Sequence, residues 1–144
     1  MTSLIQFNHI TKNIVKVGEC SIDFNQCHFI TKQDLEILIR ECLEFKNKPY
    51  TLIDVRNRKE VEETGKIETA YNLPLDEIES CFSLDDTNFE LKYLFSKPQP
   101  TDNLIFYCLR GRRSGMAIEK FKSAGYLFLI NYSGSAKEWF NLDI

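Results

Sequence analysis

A chain of 144 residues and 16.9 kDa that is 43% hydrophobic and 27% charged has the composition of one globular domain with enough mass to bury a core. This excludes a collagen, a disordered tail, a coiled coil and a two-domain enzyme, and with 18 basic against 21 acidic side chains, net −3, the whole molecule has no electrostatic reason to seek nucleic acid or an anionic membrane. Its five cysteines, an odd number with no Cys-x-x-Cys, point to free thiols in a reduced compartment.

Residues 1–28 show no helical period and are expected to be an N-terminal extension to a domain at 29–144; within it Ile14, Val15, Val17, Ile22 and Phe24 read as short extended pieces or an edge strand. Before Glu19 there are lysines, Lys12 and Lys16, and no acidic residue, a pattern similar to a mitochondrial transit peptide, although the first arginine is Arg40. The expectation is a cytoplasmic protein, with mitochondria as the alternative. No apolar run approaches the roughly 18 residues of a membrane span.

From Thr31, a candidate N-cap, Leu35, Leu38, Ile39, Cys42 and Leu43 follow a helical period. Thr51–Val55 predicts a strand, Asn57–Thr64 a helix stopped by Gly65, Ala70–Leu73 a short strand closed by Pro74, and Leu75–Phe82 a helix. Thr87–Ser96 predicts a helix with Phe89, Tyr93 and Leu94 inward. Leu104–Tyr107, apolar at every position, reads as a central parallel strand covered on both faces. Gly111–Ala124 is a loop running into a helix with Ala117, Ile118, Phe121 and Ala124 inward; Leu127–Tyr132 is the last strand and Gly134–Phe140 a final helix. Strands alternating with helices predict an α/β sandwich with a mostly parallel sheet, whose site lies at the carboxyl ends of the strands.

The carboxyl end of the central strand reads Tyr107-Cys108-Leu109-Arg110-Gly111-Arg112-Arg113-Ser114. A free thiol near pKa 8.5 is only about 3% thiolate at pH 7, and lowering it by about two units takes roughly 2.7 kcal/mol of preference for the anion. A concave loop of backbone N–H groups, a helix N-terminus and guanidinium groups all supply such a preference. Gly111 lets the loop curl, and Arg110, Arg112 and Arg113 are placed to hold an anionic substrate beside the thiolate. The competing explanation, a packed strand-end cysteine next to a solvated basic face, does not account for that density of arginine directly after an all-apolar strand.

Cys108-Leu109-Arg110-Gly111-Arg112-Arg113 resembles the Cys-x-x-Gly-x-Arg active-site loop of the rhodanese (thiosulfate sulfurtransferase) family. Asp54-Val55-Arg56, with Glu60, Glu63, Gly65, Ile67, Ala70, Asn72 and Pro74, is similar to the family's first signature, and Gly125-Tyr126, Tyr132-Ser133-Gly134 and Trp139 to its last. Lys66 stands where the family often has His, and Leu109 where some thiosulfate-specific members have Arg. The resemblance implies a rhodanese-like sandwich with a five-stranded, mostly parallel sheet and helices on both faces. It implies a Cys108 persulfide loaded from a small anionic donor such as thiosulfate and unloaded by cyanide, glutathione or a thioredoxin-like protein thiol, with no metal or organic cofactor. Backbone N–H groups of Leu109 to Arg113 would hold the sulfane sulfur. Arg56 and Arg110 would contact substrate, Arg113 would turn inward to brace the loop, Arg112 would face solvent, and Asp54 and Ser114 would be structural neighbours of the site.

A persulfide carrier or regulatory binding module with little turnover is the alternative. A small phosphatase or arsenate reductase is disfavoured, because the loop is one residue short and Ser114 occupies the place of the phosphatase Arg. Cys42 and Cys81 read as small hydrophobes, Cys20 or Cys27 as a conceivable resolving thiol, and Cys27-His28 lacks the second pair a zinc site needs. His9 and His28 read as structural, Trp139 as a lid on the core, and Glu60, Glu62 and Glu63 as a solvated helix face.

Overall fold

The computed structural model describes residues 12–144. The chain opens with an antiparallel hairpin of β1 (Ile14–Val17) and β2 (Cys20–Asp23), followed by α1 (Lys32–Cys42). Four parallel strands make the main sheet: β3 (Thr51–Asp54), β4 (Tyr71–Asn72), β5 (Asn103–Tyr107) and β6 (Phe128–Asn131), ordered β4-β3-β5-β6. Between them lie α2 (Arg58–Thr64), a 3₁₀ turn (Leu75–Glu77), α3 (Ile78–Cys81), α4 (Asp86–Tyr93) and α5 (Arg112–Ser123), and α6 (Ser135–Trp139) closes the fold. Among the described residues the sheet has four strands, close to the five expected, and is extended at its β6 edge by one parallel bridge between Phe29 and Asn131.

Alternation along the strands divides the core in two. Leu52, Ile105, Tyr107 and Ile130 face one side, packed with Val15, Val17 and Ile22 of the hairpin and Leu35, Leu38 and Ile39 of α1. Ile53, Leu104, Phe106 and Leu129 face the other side, against an aromatic cluster in which Phe121 meets Phe82 and Tyr126 edge-on, with ring centroids 5.1 and 4.8 Å apart. With both faces covered, every residue of β5 is buried. The hairpin's Val15 and Val17 are fully buried in the α1 core. His9 lies outside the described residues.

Local chemistry sets the helix ends. Thr31 Oγ1 accepts the Asp34 amide at 3.1 Å, and Asn57 and Glu60 form a reciprocal capping box on α2. Three inward expectations fail where a helix stops, the first being Leu43, the cap of α1, which is exposed. Leu94 takes a left-handed conformation (φ 64°) as the cap of α4 and is 81% exposed. Ala124, just past α5, is exposed as well.

On the 3₁₀ turn, Glu77 accepts from Arg58 and, at 2.8 Å, from the Tyr93 hydroxyl; the Arg58 bonds lead in holding its carboxyl down to about 2. A depressed folded value means stability that is present above the ordinary carboxylate range and is lost as pH falls toward 2. Because Arg58 is half exposed, Glu77→Gln is expected to cost no more than about 1 kcal/mol at neutral pH. Thermal unfolding against pH checks this: the melting curves of wild type and variant should converge in acid.

Candidate active site

The site is assembled where β3, β5 and β6 end. After β3, Arg56 turns back on Asp54. Its Nε donates to Asp54 Oδ1 at 3.0 Å and its Nη2 to Oδ2 at 2.7 Å, while Nη1 and Nη2 also reach Thr64 Oγ1 (2.8 Å) and the Gly65 carbonyl (3.0 Å). Both members of the pair are 0% exposed, and the guanidinium lies 5.8 Å from the Tyr107 ring centroid. Arg56, expected from its Asp-x-Arg setting to contact substrate, here fastens β3 to the end of α2 and is buried.

Cys108 continues directly from β5, 1% exposed at the floor of the loop. Its amide donates to Ser135 Oγ at 3.1 Å, and its carbonyl and that of Leu109 accept the Ala136 and Lys137 amides at 3.0 Å each, so the start of α6 clamps the loop from behind. Gly111 N–H donates to Cys108 Sγ at 3.0 Å. Gly111 takes φ +97°, and a Cβ there would sit 2.6 Å from the Ser133 carbonyl oxygen, so both backbone conformation and the closeness of β6's exit demand glycine. Gly111→Ala is expected to displace the amide from the sulfur and lower the thiolate fraction of Cys108, which pH-dependent alkylation would measure.

Burial pushes the Cys108 thiol up, but the Ser114 hydroxyl, which lies 3.4 Å from the sulfur, and the Ser114, Arg110 and Gly111 amides outweigh it, and the net direction is down. Burial instead pushes Cys20, Cys42 and Cys81 up to about 11. Cys27 is exposed, and all five thiols are free.

Arg110 and Arg112 are exposed, and Leu109 is half-buried against the first core. Arg113 is held by Glu60 of α2 in a two-pronged pair at 2.7 and 2.9 Å, which largely neutralises it. Glu60 is thus part of the site's frame and not a solvated face. Its partner lies 53 residues away in sequence, where no local pattern points to it. Two further residues of the frame carry no local signal: Ser135, and Asn131, whose side chain bonds Ser114 Oγ (2.7 Å) and the Gly111 carbonyl (3.2 Å). His28 is exposed, and Trp139 packs edge-on against Tyr132 with centroids 5.9 Å apart. A cavity of about 490 Å³ lined by Lys46, Tyr50 and Tyr71 sits at the opposite, amino end of the strands, away from this chemistry. Among the described residues, no three His, Cys, Asp or Glu side chains converge as metal ligands, and no helix is long and apolar enough to cross a membrane.

A buried cysteine at the carboxyl end of a central parallel strand, its sulfur bonded by the amide of the strand-to-helix loop, defines an α/β domain built around a thiol whose ionisation is favoured. The family profile of the rhodanese-like domain matches residues 40–142, and the chain belongs to that family. Homo sapiens thiosulfate:glutathione sulfurtransferase is 37% identical over 89 residues, 61% of this chain and 76% of that protein. The mitochondrial thiosulfate sulfurtransferase RDL2 of Saccharomyces cerevisiae is 35% identical over 101 residues, covering 70% and 67%. Among solved structures, the human single-domain sulfurtransferase TSTD1 superposes with a TM-score of 0.69 at 30% identity, over 81% of this chain and 97% of that one. The chain spans about two thirds of the length of other curated relatives, 65% and 69% for two of them.

Proposed function

We propose that this chain is a thiosulfate sulfurtransferase that works through a persulfide on Cys108. The thiolate attacks the outer sulfur of thiosulfate, an S–S bond forms to Sγ, and the sulfur–sulfur bond of the donor breaks with its electron pair leaving on sulfite. Charge balances, since thiolate and a dianion become a persulfide anion and a dianion. A thiol acceptor, glutathione or a protein thiol, or else cyanide, then takes the outer sulfur and returns Cys108 as thiolate. The name of the human relative supports glutathione as acceptor, and the yeast relative supports a mitochondrial location over the cytoplasmic one. The observation that carries the reading is the Gly111 amide 3.0 Å from a sulfur whose ionisation is favoured despite burial. Mass spectrometry of the intact protein after thiosulfate treatment tests it: one extra sulfur on the Cys108 peptide is expected, and none would overturn it.

Within this reading the exposed Arg110 and Arg112 draw the dianion to the loop, the loop amides hold the transferred sulfur, and Arg56, Arg113 and Glu60 are positioning residues. Arg110→Ala is therefore expected to raise the thiosulfate KM about tenfold, roughly 1.4 kcal/mol of uniform binding, with kcat little changed. An unchanged KM would remove Arg110 from donor binding. The rate should rise with pH and level off below the ordinary thiol value of 9.0, because the reactive form is the anion.

A further inference from the structure

The Ser114 hydroxyl has two neighbours and one proton. It lies 3.4 Å from Cys108 Sγ and 2.7 Å from Asn131 Oδ1, and all three residues are buried. The orientation of the Asn131 amide follows from its other partner. The Gly111 carbonyl can only accept, so the group facing it at 3.2 Å is Nδ2, and Oδ1 must face Ser114. A carboxamide oxygen also only accepts, so the Ser114 proton points at Asn131. Toward the sulfur Ser114 then presents a lone pair, which suits a thiol S–H and repels a thiolate. Ser135 faces the sulfur only at longer range: its hydroxyl donates to the Tyr132 carbonyl at 2.9 Å, with Cys108 Sγ the more distant acceptor at 4.0 Å, and it accepts the Cys108 amide.

We propose that Asn131 is a positioning residue that competes with the active-site sulfur for the single proton of Ser114. While Cys108 is neutral the chain runs Sγ–H to Ser114 Oγ and Ser114 O–H to Asn131. When the sulfur carries charge, as thiolate before attack and again when the acceptor departs with the persulfide sulfur, the hydroxyl rotates to the sulfur and Asn131 Oδ1 is left without a donor. Ser114 stabilises the anion, and Asn131 sets what that stabilisation costs. No bond to carbon or sulfur changes; the step is a rotation of one hydroxyl. The charged groups around the sulfur are those already placed: Arg113 with Glu60 from α2, the Asp54–Arg56 pair after β3, the exposed Arg110 and Arg112 of the loop, and from α6 Glu138, which accepts the Tyr132 hydroxyl at 2.6 Å.

The proposal rests on Cys108 acting as the thiolate nucleophile, but its test needs no sulfur donor. Alkylation of the full chain against pH, read on the Cys108 peptide by mass spectrometry, gives that thiol's titration alone. Asn131→Leu is expected to free Ser114 for the sulfur and raise the thiolate fraction through the titration, moving its midpoint down by up to about one pKa unit. Ser114→Ala is expected to lower that fraction, and Ser114→Thr, which keeps the hydroxyl, to restore it. In a Ser114→Ala background Asn131→Leu should do nothing, because its effect passes through Ser114. Should Asn131→Leu not fold, Asn131→Asp keeps the size, strengthens the acceptor and is expected to lower the thiolate fraction. Unchanged or reduced thiolate in Asn131→Leu, an unchanged titration in Asn131→Asp, or a shift that persists without Ser114 would overturn the proposal. Failure to form a persulfide from thiosulfate, with these shifts intact, would instead sink the sulfurtransferase reading and leave the hydroxyl switch standing.

Discussion

Cys108→Ser is expected to fold like the parent and to release no sulfite from thiosulfate above the uncatalysed rate, a loss of at least about 10⁴-fold. The two halves of that expectation have different physical sources. The fold survives because serine is close to cysteine in size and its oxygen still accepts the Gly111 amide that now lies 3.0 Å from Sγ. Cys108→Ala would instead orphan that amide, at about 1–3 kcal/mol, and so is the poorer control. The chemistry disappears because the cradle's preference for an anion is useless to a hydroxyl, which stays protonated near neutrality however many N–H groups surround it. Three of the other thiols are poor substitutes: burial pushes Cys20, Cys42 and Cys81 up to about 11, away from the reactive form. Sulfite release followed by a dye assay, with thermal unfolding as the check on integrity, would decide it; residual turnover in Cys108→Ser would place the persulfide on another residue, with the exposed Cys27 the first to examine.

What could be read from the sequence follows the range of the interactions concerned. The all-apolar run of β5, the capping threonine and the Gly111 turn are local features, and a local pattern writes them directly into the chain. The proposed nucleophile is legible for the same reason, since strand, Cys108, glycine and arginines are contiguous. The frame around it was not. Glu60 meets Arg113 across 53 residues and Asn131 meets Ser114 across 17, and nothing near any of them in sequence announces the partner. Leu94 shows the opposite failure: the apolar period continues, but the helix ends in a left-handed residue, so the side chain the period would bury points to solvent. Arg56 is a mixed case: its motif suggests an anion contact, and in the fold a carboxylate two residues earlier captures its guanidinium.

That capture makes Arg56→Ala the substitution with the largest expected effect on stability. It removes every bond from the guanidinium to Asp54, Thr64 and Gly65 and leaves the Asp54 carboxylate at 0% exposure without its cation. Breaking one side of a buried ion pair typically costs about 3–5 kcal/mol, because the remaining charge stays desolvated and unpaired. At roughly 3–5 °C per kcal/mol for a domain of this size, the melting temperature should fall by about 10–20 °C. Asp54→Asn in the same chain removes the stranded charge, so the double variant should be more stable than Arg56→Ala alone, a non-additivity that marks the pair as one unit. The kinetic signature separates this brace from a donor contact. A brace lost at a temperature where the variant is still folded lowers kcat by loosening the end of α2, which carries Glu60 and through it Arg113, whereas a lost donor contact raises KM and leaves the melting temperature where it was. A thermal scan of Arg56→Ala that matches wild type, together with a raised thiosulfate KM, would return Arg56 to the substrate.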